Sequence, residues 1–492
     1  MPGLSRLRDP GLLRQAARIG AHWVERAAAG SFDVTDPATG EVIATLPLQD
    51  ARDSEAAVAA AHEAFGAWRQ TTAAHRADVL RRWFELITQH ADDLALLITM
   101  EEGKPLAEAL AEVRYAASFV RWFSEEARRA YGEIVPAPVA GQRILVTREP
   151  VGVAAAITPW NFPAAMITRK AAPALAAGCT MVVKPAEQTP LTALALAELA
   201  DRAGVPAGVF NVLTVDAREA PAVGRVLTQD ARVRKITFTG STAVGKILLR
   251  QGAEGVKKAS MELGGNAPFI VFDDADLDAA VAGAMACKFR NTGQACISAN
   301  RFLVQDGIHD AFVARLSEAV AALKVGHGLD DGVQQGPLID DEAVVKVAQH
   351  VADALAHGAR LHVGGTAHAL GGRFFEPTVL SGVTAAARMT REETFGPVAT
   401  VMRFASEDDA VALANDTEFG LAAYLFSRDA ARIWRVSGRL EAGMVGINTG
   451  LISNEVAPFG GVKESGLGRE GSRHGLEEFM EPKYLCWDGL GA

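Results

Sequence analysis

The sequence predicts an α/β protein containing two domains, each a sheet covered by helices, and three observations carry that expectation. From Ile144 onward, short apolar runs alternate with segments compatible with helix. Those runs are apolar on both faces, as strands of a parallel sheet buried between helical layers must be. A chain of 492 residues, 49% of them hydrophobic, exceeds one ordinary domain and can bury more than one core.

Residues 54–130 read as helical, with Leu80, Trp83, Phe84 and Ile87 recurring at the spacing of one buried helix face. Strand-like runs then follow at 151–157, 180–183, 209–213, 236–238 and 258–261, most leading into a helix-compatible segment. A second series covers 269–272, 302–305, 398–402, 423–426 and 444–447. Gly264-Gly265 falls between the two series and reads as a hinge, while 363–376, rich in glycine and histidine, reads as an exposed connection.

The formal charge is -10 with both signs interspersed, which argues against a nucleic-acid footprint. Any anionic ligand must therefore be held locally. Cys179, Cys287, Cys296 and Cys486 form neither a CxxC pair nor a metal-ligand spacing, so no metal is expected and a reducing, cytoplasmic setting is. No apolar run reaches the ~18 residues of a membrane helix. Arg6, Arg8, Arg14 and Arg18 resemble a transit peptide only faintly, since Asp9 and Glu25 interrupt them.

Three short motifs carry reaction chemistry, and a fourth offers a phosphate seat. Cys296 lies in Asn291-Thr292-Gly293-Gln294-Ala295-Cys296, where a glycine permits close backbone approach and Arg290 supplies nearby positive charge, conditions that allow a thiolate nucleophile although a single cysteine is more often a buried core residue. Glu262 ends a strand-like run and precedes a glycine pair, which suits a base projecting into a cleft as well as it suits a loop-capping carboxylate. Asn161, in Thr158-Pro159-Trp160-Asn161-Phe162-Pro163, follows a buried strand, and its amide can hold an oxyanion without adding charge. Phe238-Thr239-Gly240-Ser241-Thr242-Ala243-Val244-Gly245 follows a strand and opens a helix, so Gly240, Ser241 and Gly245 can receive a pyrophosphate. The run to Lys246 satisfies a nucleotide P-loop, but Ile247 lacks the hydroxyl for magnesium.

Taken together, the Cys296 and Glu262 runs resemble the nucleophile and general base of the aldehyde dehydrogenase family, over nearly the whole chain and most closely in its succinate-semialdehyde branch. The resemblance implies two Rossmann-type domains with a small β oligomerisation element: a NAD(P)-binding domain of 1–130 and 150–261, a catalytic domain of 262–462, and an element combining 131–149 with 463–492. It implies a cofactor site of Thr158, Pro159, Trp160, Lys184, Ala186, Glu187, Gly240, Ser241, Gly245, Leu263, Gly264, Glu393 and Phe395. Glu187 would accept from a ribose 2'-hydroxyl and repel a 2'-phosphate, which favours NAD while leaving NADP possible.

Arg169 and Arg290 match positions where the semialdehyde branch clamps a far carboxylate, with Ser453 as a further donor and Phe459 as a wall. The expected reaction is therefore oxidation of succinate semialdehyde to the dicarboxylate through a cysteine thiohemiacetal and thioester. Glutarate semialdehyde or a wider aldehyde range is the alternative, because one methylene discriminates weakly. Ser298 stands where several relatives carry a second cysteine, which removes a local redox switch. Rival readings are an acylating enzyme using coenzyme A, a silent structural homologue and a cysteine hydrolase. The expected partners are a small semialdehyde and further copies of the chain, as homodimer or homotetramer, with neither nucleic acid nor membrane.

Overall fold

Good capping and one-sided burial set the first helices in the computed structural model, which describes residues 4–489. Asp50 closes a capping box on Ala51–Trp68, and Thr72 caps Ala73–Gln89 through the His75 amide. Ala91–Glu102 and Leu106–Glu126 follow, giving the helical stretch the periodicity predicts. Leu80, Trp83 and Ile87 are fully buried in the largest core, and the Trp83 indole donates to the Leu196 carbonyl at 3.1 Å.

Two large sheets follow. The first has eight strands in the order Gly466–Leu467, Lys258–Glu262, Val233–Thr239, Val153–Ile157, Thr180–Lys184, Phe210–Val212, Ala17–Ile19, His22–Val24. Its five middle members, from Lys258–Glu262 to Phe210–Val212, are mutually parallel. The second has seven, in the order Arg360–Val363, Thr378–Ser381, Val398–Phe404, Ala299–Gln305, Ala267–Val271, Ala422–Phe426, Met444–Ile447, all parallel except the first pair. Every strand-like run read from the sequence falls on one of these strands. The short strands between 17 and 47 escaped that reading.

Only residues 263–266 join the C-terminal end of Lys258–Glu262 to the next sheet. The glycine pair there is required by packing, since a Cβ on Gly265 would meet the Cys296 carbonyl oxygen. The expected exposed connection at 363–376 is pinned by buried Phe374 and Phe375.

A third sheet joins Glu133–Val135, Arg143–Pro150 and Met480–Trp487. The tail beyond 462 thus divides, because Gly466–Leu467 edges the first sheet while Met480–Trp487 lies in the third. Ile134, Tyr484 and Trp487 leave much of this small sheet's apolar surface exposed. Among the described residues no helix is long and apolar enough to cross a membrane.

Candidate active site

Cys296 is presented by a turn whose backbone is unusual. Asn291, Thr292 and Gly293 have φ of 51°, 55° and 76°, three successive left-handed residues. Asparagine and glycine accept that region readily, but a β-branched threonine does so only when the surroundings impose it. The surroundings here are specific: the Thr292 hydroxyl donates to the Gly336 carbonyl at 3.2 Å, the Asn291 amide donates to Glu108 at 2.7 Å, and a Cβ on Gly293 would strike the Gly396 carbonyl. The thiol is half-buried at the edge of a cleft of about 470 Å3. Burial pushes it up to about 12, helped by the Glu393 and Glu262 carboxylates and opposed by Arg169 and Arg290.

Asn161 lines the same cleft. Its side-chain amide donates to the Gln294 carbonyl at 3.0 Å, which uses one of two N-H groups and leaves the second for the cleft. The Asn161 backbone carbonyl accepts from Lys104 at 2.7 Å and from the Asn291 amide at 2.9 Å.

Glu262 ends its strand 3% exposed, and neither carboxylate oxygen has a hydrogen-bond partner. Burial raises its pKa well above the carboxylate range, with Glu470 adding to this and Arg169, Lys170 and Arg469 opposing it. Burial acts on Glu470 too, but Lys170 and Arg169 outweigh it and keep that carboxyl ionised. Lys170 bonds Glu470 and also donates to the Thr239 hydroxyl at 2.6 Å.

This cluster changes the expectation for Arg169. The sequence reads it as free for a substrate carboxylate, but it is 1% exposed, pairs with Glu470 at 2.8 Å and lies 3.9 Å from the Phe459 ring centroid. Glu470 thus shares the Arg169 charge, yet Nε and Nη2 of Arg169 make no hydrogen bond among the described residues. Arg290, half-buried, sits 4.6 Å over the Phe162 ring and makes no ion pair among the described residues. Ser453 is half-buried in the loop before Phe459, with no hydrogen bond from its side chain.

The cleft has the walls a nicotinamide dinucleotide needs. Pro159, Trp160, Gly240, Ser241, Leu263 and Gly264 line it, together with Glu393 and Phe395. Phe395 has a φ of 54° and meets Trp160 edge-on, ring centroids 5.5 Å apart. Burial raises the Glu393 carboxyl to about 7. Ser241 caps Thr242–Ala253, whose N-terminus faces the cleft through Gly240 and Ser241, a favourable seat for phosphate. The buried Thr158 hydroxyl has no partner, which also fits a ligand.

Gly245 also has a packing role. It is buried within the helix, and a Cβ there would lie 2.5 Å from a Leu263 methyl. Lys184, Ala186 and Glu187 lie apart from the cleft walls, at the end of the strand registered with Ile157. The Lys184 ammonium is 3.6 Å from Glu187, which partly neutralises that carboxylate. Lys246, the P-loop candidate, is turned to an exposed pair with Glu464 at 2.7 Å.

Sequence reasoning missed Glu470, Lys104 and Gln294. Glu470 and Lys104 are distant in sequence from the three motifs, and Gln294 sat unremarked within one. Cleft residues Asp340, Glu342 and Lys346 were also unmarked.

A family model described as Aldehyde dehydrogenase family matches residues 23–485. The chain is 59% identical over 481 residues to the NADP(+) succinate-semialdehyde dehydrogenase of Escherichia coli (strain K12), covering 98% of this chain and 99% of that one. It is 58% identical over 484 residues to a glutarate-semialdehyde dehydrogenase of Pseudomonas aeruginosa, covering 98% and 100%. A crystal structure of succinate-semialdehyde dehydrogenase from Burkholderia pseudomallei matches with a TM-score of 0.97 at 58% identity, covering 98% of this chain and 100% of that chain.

Proposed function

The chain belongs to the aldehyde dehydrogenase family, and from that premise we propose that it oxidises succinate semialdehyde to succinate with a nicotinamide dinucleotide. The observation that carries the substrate is Arg290, a half-buried guanidinium without a carboxylate partner, held over Phe162 beside the Cys296 turn. A rigid fork of donors in that position suits the far carboxylate of an ω-carboxy aldehyde. Arg169, paired with Glu470 but with Nε and Nη2 free of hydrogen bonds among the described residues, adds charge beside Phe459, and Ser453 is the candidate hydroxyl donor. Glutarate semialdehyde is the second reading, favoured by the similarity to enzymes of that name.

The Cys296 thiol gives up its proton to solvent as its sulfur adds to the aldehyde carbon, and the forming oxyanion takes the second N-H of Asn161 and the Cys296 backbone N-H. A bound oxidised dinucleotide would supply the hydride acceptor for that carbon and a positive charge beside the thiol. Carbonyl reformation leaves a thioester on Cys296. Glu262, once ionised, draws a proton from water; the water oxygen attacks the thioester carbon, sulfur leaves and takes that proton back from Glu262 to become the thiol, and the dicarboxylate departs. Both oxygens of Glu262 are free of hydrogen bonds, as a proton-accepting base requires. A base in that position favours water over coenzyme A as the acceptor.

For the cofactor, Pro159, Trp160, Leu263, Gly264 and Phe395 would pack the nicotinamide, Glu393 its ribose, Gly240 and Ser241 the pyrophosphate, and Thr158, Lys184, Ala186 and Glu187 the adenosine side. Because Lys184 offsets Glu187, NAD is favoured and NADP accepted. The sheets support the division into a cofactor domain of 1–130 and 150–261 and a catalytic domain of 262–462. The exposed apolar sheet of Glu133–Val135, Arg143–Pro150 and Met480–Trp487 supports assembly as a homodimer or homotetramer. Four free cysteines support a cytoplasmic setting.

The test is dinucleotide reduction with succinate semialdehyde, glutarate semialdehyde and butanal, each with NAD and NADP. Cys296→Ala is expected to abolish reduction while retaining dinucleotide binding, and butanal is expected to be the poorest substrate. Turnover by Cys296→Ala, or butanal outperforming both acids, overturns the reading.

A further inference from the structure

The elements that hold the reacting groups come from a helical segment far from them in sequence. Gly103, left-handed at φ 94°, ends the helix Ala91–Glu102 where a Cβ would press on Pro37 and Pro337. The next residue, Lys104, is 2% exposed. Its ammonium donates to Glu112 at 2.6 Å and to the Asn161 carbonyl at 2.7 Å, and lies 4.0 Å from the Phe162 ring centroid. The second oxygen of Glu112 accepts from the backbone N-H of Ala164 at 2.9 Å and of Ala165 at 3.3 Å, at the start of the helix Ala165–Ala177.

One buried cation thus fixes the main chain at 161, bears on the side chain at 162 and, through Glu112, anchors the helix that follows. A cation inside the protein persists only when paired and hydrogen-bonded, and Lys104 is both. The same Phe162 ring carries Arg290 at 4.6 Å, so the two ends of the expected substrate are referred to one support.

We propose that Lys104 is a positioning residue for the reacting centre, setting the Asn161 amide opposite Cys296 through the Asn161 carbonyl and steadying the Phe162 ring beneath Arg290. This rests on the reading of Asn161 as the oxyanion donor and Arg290 as the carboxylate partner. Lys104 touches neither substrate nor cofactor and acts only through these neighbours.

The experiment is a double-mutant cycle on the full chain. Lys104→Met is expected to lower kcat by roughly tenfold to a hundredfold, the size of effect a misplaced reacting group produces. Dinucleotide Kd, read by fluorescence titration, is expected to stay within about twofold, because the cofactor walls are left in place. In an Asn161→Ala background, the same substitution is expected to cause no further fall in kcat. Multiplying falls, or an unchanged kcat for Lys104→Met alone, overturn the proposal.

Should Lys104→Met leave Glu112 too poorly paired for folding, Lys104→Met with Glu112→Gln removes both charges while retaining an acceptor for Ala164. It carries the same expectations. The underlying reading fails separately, if Asn161→Ala by itself leaves kcat intact; the proposal then falls with it.

Discussion

Replacing Arg290 with methionine tests the substrate assignment most directly. Methionine keeps much of the side-chain bulk over Phe162, where the guanidinium now sits at 4.6 Å, and removes only the charge and its fork of donors. Arg290 is half-buried and makes no ion pair among the described residues, so its bond to a substrate carboxylate falls between a solvated surface pair and a fully buried one. A hydrogen bond to a charged group in such a setting contributes about 1.5–3 kcal/mol. At about 1.4 kcal/mol per decade, this is a fall of roughly tenfold to 150-fold in kcat/KM for succinate semialdehyde. Butanal has the same carbon count without the carboxylate, and its kcat/KM is expected to change by less than about twofold. Initial rates of dinucleotide reduction measure both. An equal fall for the two aldehydes would mean that Arg290 supports the Cys296 turn instead, and no fall for the acid would remove it from the substrate site altogether.

Glu262→Gln is expected to acylate once and then stall, visible as a single burst of reduced dinucleotide per site. Its thermal stability carries the opposite sign. The native fold holds the Glu262 proton well above the ordinary value of 4.5, so stability tied to that carboxyl is complete below about 4.5 and is lost as pH rises through the elevated value. The variant's thermal midpoint is therefore expected to exceed the parent's increasingly with pH, while parent thioester hydrolysis rises over the same window; parallel midpoint curves would contradict the burial argument. Glu187→Gln leaves Lys184 uncompensated beside the adenosine side and is expected to raise the ratio of NADP to NAD efficiency several-fold, by about 1 kcal/mol for one partly exposed charge. An unchanged ratio would place the 2' position elsewhere.

The proposed nucleophile, base and amide were open to reading in the sequence because each sits in a contiguous run whose glycines and prolines announce a constrained loop. The parallel strands were legible because burial on both faces leaves a continuous apolar run. The Arg169 pairing was not, since Glu470 lies 301 positions further along and no local pattern announces that a buried guanidinium has found its carboxylate within the chain. The packing role of Gly245 was hidden for a related reason: the clearance it gives Leu263 shows only when the two are seen side by side. The strands Ala17–Ile19 and His22–Val24 have three residues each, too few to establish alternation.

Two glycines from different segments close on the nucleophile loop, Gly265 against the Cys296 carbonyl and Gly293 against that of Gly396. Not even one methyl group can be added at either point. Libraries aimed at bulkier aldehydes should therefore leave 264–265 and 291–296 untouched and vary the loop around Ser453, where several side chains are half-exposed. Directed evolution of this scaffold has one adaptable flank and one that tolerates no growth.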